Sequence, residues 1–279
     1  MENHSEVKRL FAEMVSRHEE DINLAEAALL YAKVEYPDLD IEKYLRRIDL
    51  IAEEINKNLS RGDDPNYLIT EINRYLFSVA GFRGNRDDYY DPKNSFLNDV
   101  LDRKKGIPIT LSVLYMEIAN RLGLNLEGVG FPGHFIVRYS GTEGEILIDP
   151  FNEGRTLSQK DCQDILDRAY NGGVKFQRYM LQLSTKKQIL VRMLNNLKNI
   201  YWSSKNYLKA LSIVEFILLI TPDSVTEIRD RGMIYYQLEC FSQALVDLEK
   251  YLKIYPEAPD EKIIRGYFPL LKDLSAKIN

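Results

Sequence analysis

The last third of the chain repeats itself with a period of 34 residues. Tyr201 recurs as Tyr235, Tyr207 as Phe241, Ala210 as Ala244, Leu211 as Leu245, Glu215 as Glu249, Leu218 as Leu252 and Pro222 as Pro256. A repeat of this length is one pair of helices that cannot bury its apolar face alone, so neighbouring pairs must stack. The alanines permit close helix approach, the aromatics fill the groove between helices, and each proline stops a second helix. Gly232 supplies a small residue in a first helix, where the other copy departs with Lys198. Two repeats are fewer than the three that such stacks usually need. The stretch 178–200 and the final helix DEKIIRGYFPLLKDLSAKI, with Pro269 inside, are therefore expected to act as caps.

The first two thirds read differently. NLAEAALLYAKVEY, DIEKYLRRIDLIAEEINKNL and PNYLITEINRYLFSVAG have helical apolar spacing and are separated by the polar breaks PDLD and SRGDDP. GFRGNRDDYYDPKNS is a polar loop, solvated or rimming a cleft, after which Asn94 or Ser95 caps a helix through FLNDVLDR. Ser158 starts another helix, QKDCQDILDRAY, which NGGVK ends. With 45% hydrophobic and 28% charged residues in 279, the chain is a globular protein of about two domains. A net charge of −5 argues against nucleic acid and anionic membranes as partners. The opening MENHSEVKRL has no signal-peptide core, and VEFILLI is too short to span a bilayer. Cys162 and Cys240 make no disulfide framework, so the expected compartment is the cytoplasm.

Between these regions lies KKGIPITLSVLYMEIANRLGL, then GHFIVRY, then EILIDP. Pro108 suits a first helical position, and Ile109 to Leu122 are apolar on nearly every face, which marks a buried helix. Glu117 within it needs a partner that the sequence does not name. The two later segments form a hairpin around SGTEG. A register pairing Tyr139 with Gly144 would set Arg138 against Glu145, Ile136 against Leu147 and His134 against Asp149.

Gly106, the helix end Arg121–Gly123, His134 and Asp149–Pro150 resemble the transglutaminase-like domain, a relative of papain-like cysteine enzymes. The stretches LAEAALLYAKVEYPDLDIEKYL, GFRGNRDDYYDPKNSFLNDVL, RKKGIPITLSVLYMEIANRLGL and GFPGHFIVRY resemble more closely the SirB-type bacterial family, in which tetratricopeptide repeats follow such a domain. The resemblance implies an α+β fold: a helical N-terminal region with a transglutaminase-like (papain-like) core over 1–180, then an all-α tetratricopeptide-like domain over 181–279. It also implies a nucleophilic cysteine at the start of the buried helix, where this chain has Pro108.

That absence shapes the functional expectation. His134 and Asp149 are either a base with its orienter or a retained pair that holds the hairpin. Thr110 is the nearest hydroxyl to the missing thiol and Ser112 the next; a nucleophile and a helix-packing or capping residue are both open for Thr110. Cys162 is an inert thiol or one reaching the cleft from another direction. His4 and His18 are dispersed, so no metal is expected, and no glycine motif suggests a cofactor. The expected function is a non-catalytic interaction or regulatory protein. It would bind a protein or peptide through its repeats, with Tyr201, Tyr207, Tyr235 and Phe241 as candidate binding residues. The alternative is a hydrolase or acyl transferase using His134 and Asp149 with an unorthodox nucleophile or activated water. Oligomeric state is open.

Overall fold

The computed structural model describes residues 2–59, 64–142 and 144–278, so most of the SRGDDP break and Glu143 of the hairpin turn lie outside the described residues. The chain divides into two compact units between Met193 and Leu194.

The first unit opens with α1 (Glu2–Val15), a helix the sequence reading missed although Val7, Phe11 and Met14 fall on one buried face. It continues with α2 (Leu24–Ala32), α3 (Ile41–Asn56) and α4 (Pro65–Asn73), the last running on as a wide π turn, Arg74–Val79. Asn23 and Asp40 cap α2 and α3 by accepting from the backbone N–H of Glu26 and Lys43. Next come β1 (Arg83–Gly84), α5 (Leu97–Arg103), β2 (Lys105–Gly106) and α6 (Pro108–Arg121).

α6 is the buried helix that its composition predicts, with Pro108 at its first position. Glu117 finds its partners here. Its Oε1 accepts from the Ala25 N–H at the start of α2, and its Oε2 pairs with Arg121 at 2.7 Å. Arg121 also holds Asp49 of α3 at 2.6 Å, so one ion-pair chain ties α6 to α2 and α3. The cap of α5 differs from expectation, because Phe96 precedes it and offers no side-chain acceptor. Asn94 instead locks the preceding loop. It accepts from Asn85 Nδ2 and donates to the carbonyls of Asp88 and Tyr89. With Asn85, Asn94 and Ser95 buried, this loop is anchored rather than fully solvated.

Strands β3 (Glu127–Val129), β4 (Ile136–Gly141), β5 (Gly144–Asp149) and β6 (Arg155–Thr156) form one antiparallel sheet in that order, and α7 (Gln159–Tyr170) follows. Ser158 and Asp161 cap α7 reciprocally, and Asn171 ends it in the left-handed conformation, as NGGVK suggests. The hairpin register corrects the sequence expectation by two residues. Gly141 pairs with Gly144, Ser140 with Glu145 and Arg138 with Leu147. Closing around two residues rather than four adds backbone pairs to the ladder, and a two-residue loop suits strand twist. A shift of two keeps every side chain on its face. Arg138 therefore pairs chiefly with Glu127 across β3, at 3.2 Å, and lies 3.9 Å from Glu145.

α8 (Lys186–Ser203) runs through the division between the units. The second unit comprises its later part, α9 (Tyr207–Ile220), α10 (Val225–Gln237), α11 (Phe241–Ile254) and α12 (Glu261–Ile278). The repeat extends to its turns. Lys205 and Glu239, equivalent positions, both have φ of 59°, and the next N–H donates to the carbonyl of Tyr201 or Tyr235. A side chain on Gly232 would meet Leu248 at 2.9 Å, which explains the glycine. The equivalent Lys198 is buried, and its Nζ lies 2.7 Å from Glu227 and 2.8 Å from Asp230. The four candidate binding aromatics differ in exposure. Tyr201 is buried, Tyr235 and Phe241 are half-buried against the Leu248–Tyr251 cluster, and Tyr207 stands edge-on to Trp202.

Candidate functional site

Three local structures converge on Asp149. It ends β5, where Pro150 starts a single tight turn, Pro150–Asn152. That turn leaves two N–H groups free at its start, and Asp149 Oδ1 accepts from both, Phe151 at 3.1 Å and Asn152 at 3.3 Å. Oδ2 accepts from Asn152 Nδ2 at 2.6 Å and lies 2.9 Å from His134 Nε2. Burial alone would raise the carboxyl's pKa; the His134 contact and the Asn152 bonds outweigh it and hold the group below its usual range.

His134 is not on a strand, contrary to expectation. It occupies the bend before β4, where its N–H donates to the carbonyl of Phe131. Its ring meets Asp149 diagonally rather than as a cross-strand partner. The Nε2–H does not point along the 2.9 Å line, so the two groups are in close contact without a well-aligned hydrogen bond. Phe151 stands edge-on against the imidazole, with ring centres 5.9 Å apart. The Phe151 ring in turn covers Gly84, where a side chain would meet it at 2.6 Å. Gly84 pairs with Gly106, two residues before Pro108. Phe151 thus links the pair to the strand that leads into α6.

The hydroxyls of α6 are poorly placed for attack. Thr110 is fully buried, donates to the carbonyl of Asn94 at 2.7 Å and accepts from the N–H of Ile107 at 3.1 Å. It completes the helix cap, and among the described residues no hydrogen bond joins it to His134. Ser112 is buried with no hydrogen-bond partner among the described residues. Cys162 lies in an apolar cluster with Val129, Phe131, Ile136 and Leu166, and burial pushes its thiol up to about 11. We expect a thiol-specific disulfide reagent to leave Cys162 unmodified in the native protein and to react with it fully after denaturation. Rapid native labelling at Cys162, read by peptide mass spectrometry, would contradict this.

Asp149 and Phe151 also line a cleft of about 460 Å³ with Arg83, Gly84, Arg86, Asn152, Glu153, Arg155, Asp161, Asp164 and Arg168 among its walls. The GFRGN loop therefore does rim a cleft. Arg86 lies over the Phe151 ring at 5.2 Å and bonds Asn152, while Arg155 pairs with Asp161. The loop read from the sequence contains Arg83 and Arg86, whereas Arg155, Arg168 and Asn152 carried no such signal. The Asp-Pro step, which starts a helical turn, could have pointed to Asn152.

Residues 42–195 match the transglutaminase-like superfamily, and residues 197–267 match a tetratricopeptide repeat family. The chain is 37% identical over 269 residues to a UPF0162 protein of Xylella fastidiosa, covering 95% of each. It is 31% identical over 236 residues to Protein SirB1 of Salmonella typhimurium, covering 84% of this chain and 86% of that one. F-box only protein 21 of Pongo abelii is 29% identical over 197 residues, 67% of this chain but 31% of that longer protein. The chain belongs to the SirB1/UPF0162 family of transglutaminase-like proteins with C-terminal tetratricopeptide repeats.

Proposed function

We propose that this protein is a non-catalytic interaction or regulatory module, with a transglutaminase-like domain that retains the His–Asp pair but not the thiol chemistry. The observation that carries this reading is the start of α6. Pro108 stands where the family resemblance puts a cysteine, and the nearest hydroxyl, Thr110, is committed to backbone groups on both sides. Asp149 is saturated by the turn it caps, which supports a role in holding the hairpin end. The helix pairs of the second unit are the proposed surface for a protein or peptide partner, since such stacks offer extended binding faces. Among the described residues no helix is long and apolar enough to cross a membrane, and the two cysteines are free.

The test is a search for an acyl-enzyme. The full chain is incubated with activated esters and thioesters of small acyl groups and weighed intact by mass spectrometry. No adduct that depends on His134 should form. A stoichiometric adduct that vanishes in a folded His134→Ala variant would establish the alternative, an acyl-transfer enzyme with an unorthodox nucleophile.

A further inference from the structure

Among the described residues Arg192 is a cation without a carboxylate partner. Its Nη2 donates to the backbone carbonyls of His134 at 2.6 Å and Phe131 at 3.3 Å, and its guanidinium lies 5.4 Å over the Phe135 ring. Among the described residues its Nε and Nη1 make no hydrogen bond and no acidic side chain pairs with it. Burial lowers its pKa, and the phenols of Tyr89 and Tyr170 act in the opposite direction. A half-buried charge left in this way is costly unless something completes it.

The surroundings are those of a binding surface. The bend Phe131–His134 is pinned from one side by Arg192 and from the other by α7, where a side chain on Gly133 would meet Ala169 at 2.6 Å and the Tyr170 ring lies in ordinary contact at 3.7 Å. Tyr89 packs edge-on to Phe151 at 6.3 Å and to Tyr90 at 5.3 Å, and Phe151 contacts His134. Tyr89, Tyr90 and Tyr170 are nevertheless 39%, 77% and 44% exposed. Tyr89 and Tyr170 both act on the Arg192 charge, and exposed tyrosines beside an arginine have the composition of interface anchors. Asp87 and Asp88 flank Tyr89 on the same loop and are exposed, so a polyanion is disfavoured while a single carboxylate is not.

We propose that Arg192, framed by Tyr89 and Tyr170 beside His134, is a recognition site for one peptide carboxylate next to an aromatic or apolar group. The guanidinium takes the carboxylate through its free donors and the tyrosines cover the neighbouring side chain. The carboxylate comes from a chain terminus or from an aspartate or glutamate side chain. This deepens the partner-binding reading by adding a site in the transglutaminase-like unit, and it does not depend on whether acyl transfer occurs.

The test uses the full chain, isotope-labelled, and three probes: N-acetylphenylalanine, its amide, and the amide of N-acetyl-Asp-Phe. Binding of the first or third, read as amide shifts at Gly130 and Gly133, supports the site. Which of the two binds tells terminal from side-chain carboxylate. The phenylalanine amide should bind at least about tenfold more weakly, the usual scale of a lost charge-assisted bond. Arg192→Gln should abolish the difference between acid and amide. Because that variant also loses a clamp on the bend, Tyr170→Ala serves as a second variant and should weaken binding of the acid about tenfold while the fold stays intact. Equal shifts for all three probes, no shifts with any of them, or binding of the tighter carboxylate probe unchanged in both variants would overturn the proposal. Such a failure leaves the acyl-enzyme experiment untouched, so the two readings fall separately.

Discussion

Asp149→Asn should cost about 3 kcal/mol of stability at neutral pH, the scale for disrupting a buried carboxylate held by several hydrogen bonds. The carboxylate accepts two backbone N–H groups and the Asn152 amide and approaches His134. An asparagine has one acceptor oxygen. If that oxygen keeps the backbone donors, its amide nitrogen faces the Asn152 amide, donor against donor. The pH dependence follows from the lowered folded pKa. Stabilisation from ionised Asp149 is fully present above the unfolded value of about 3.9 and is lost as pH falls through the lower folded value. The gap between wild type and variant should therefore be widest near neutrality and close below about pH 4. Urea unfolding of both proteins across that range measures it. A variant as stable as wild type at pH 7 would mean that the pair does not hold the hairpin end.

In the second unit, Lys198→Met should be as damaging. Its Nζ bonds both oxygens of Glu227, at 2.7 and 2.9 Å, and Asp230 at 2.8 Å. Burial already raises the Glu227 pKa, even with Lys198 in place. Without the lysine, the carboxylate is left buried and uncompensated, at a cost of about 3 kcal/mol or more at pH 7. A raised folded pKa favours the protonated form, so the variant should regain stability as pH falls toward the carboxyl range. Replacing Glu227 by Met as well should recover most of the loss, since Asp230 keeps its pair with Arg229 at 2.7 Å. Trp202, the one tryptophan of the sequence, lies in α8 and reports this unit by fluorescence. Single and double variants with equal midpoints would refute the account.

How much of this was legible depends on what each residue answers to. The repeat was legible because stacking imposes a fixed period, and the buried helix because its apolar faces close around it. The His134–Asp149 contact was legible as well, but the path to it was wrong. The register argument weighed side-chain charges, whereas backbone pairing around a two-residue turn decides the ladder. Asn94 illustrates the other limit. Its type fits a helix cap, and only the folded loop shows that Asn85, Asp88 and Tyr89 claim its amide. Arg192 carries no local signal at all, since its partners lie about 60 positions upstream.

The lysine in place of a small residue has one more consequence, for assembly rather than stability. Two near-copies of a helix pair invite the chain to exchange one for the other while folding, within one molecule or between two. The positions equivalent to Glu227 and Asp230 in the first copy are Met193 and Asn196, which offer no carboxylate. Conversely, Arg231 and Asp247 pair at 2.7 Å in the second copy where the first has Leu197 and Ile213. A helix docked one repeat out of step would therefore strand charge in an apolar groove. The polar pattern acts as an address, and the Lys198→Met, Glu227→Met protein, though stable, should refold with more swapped dimer than wild type.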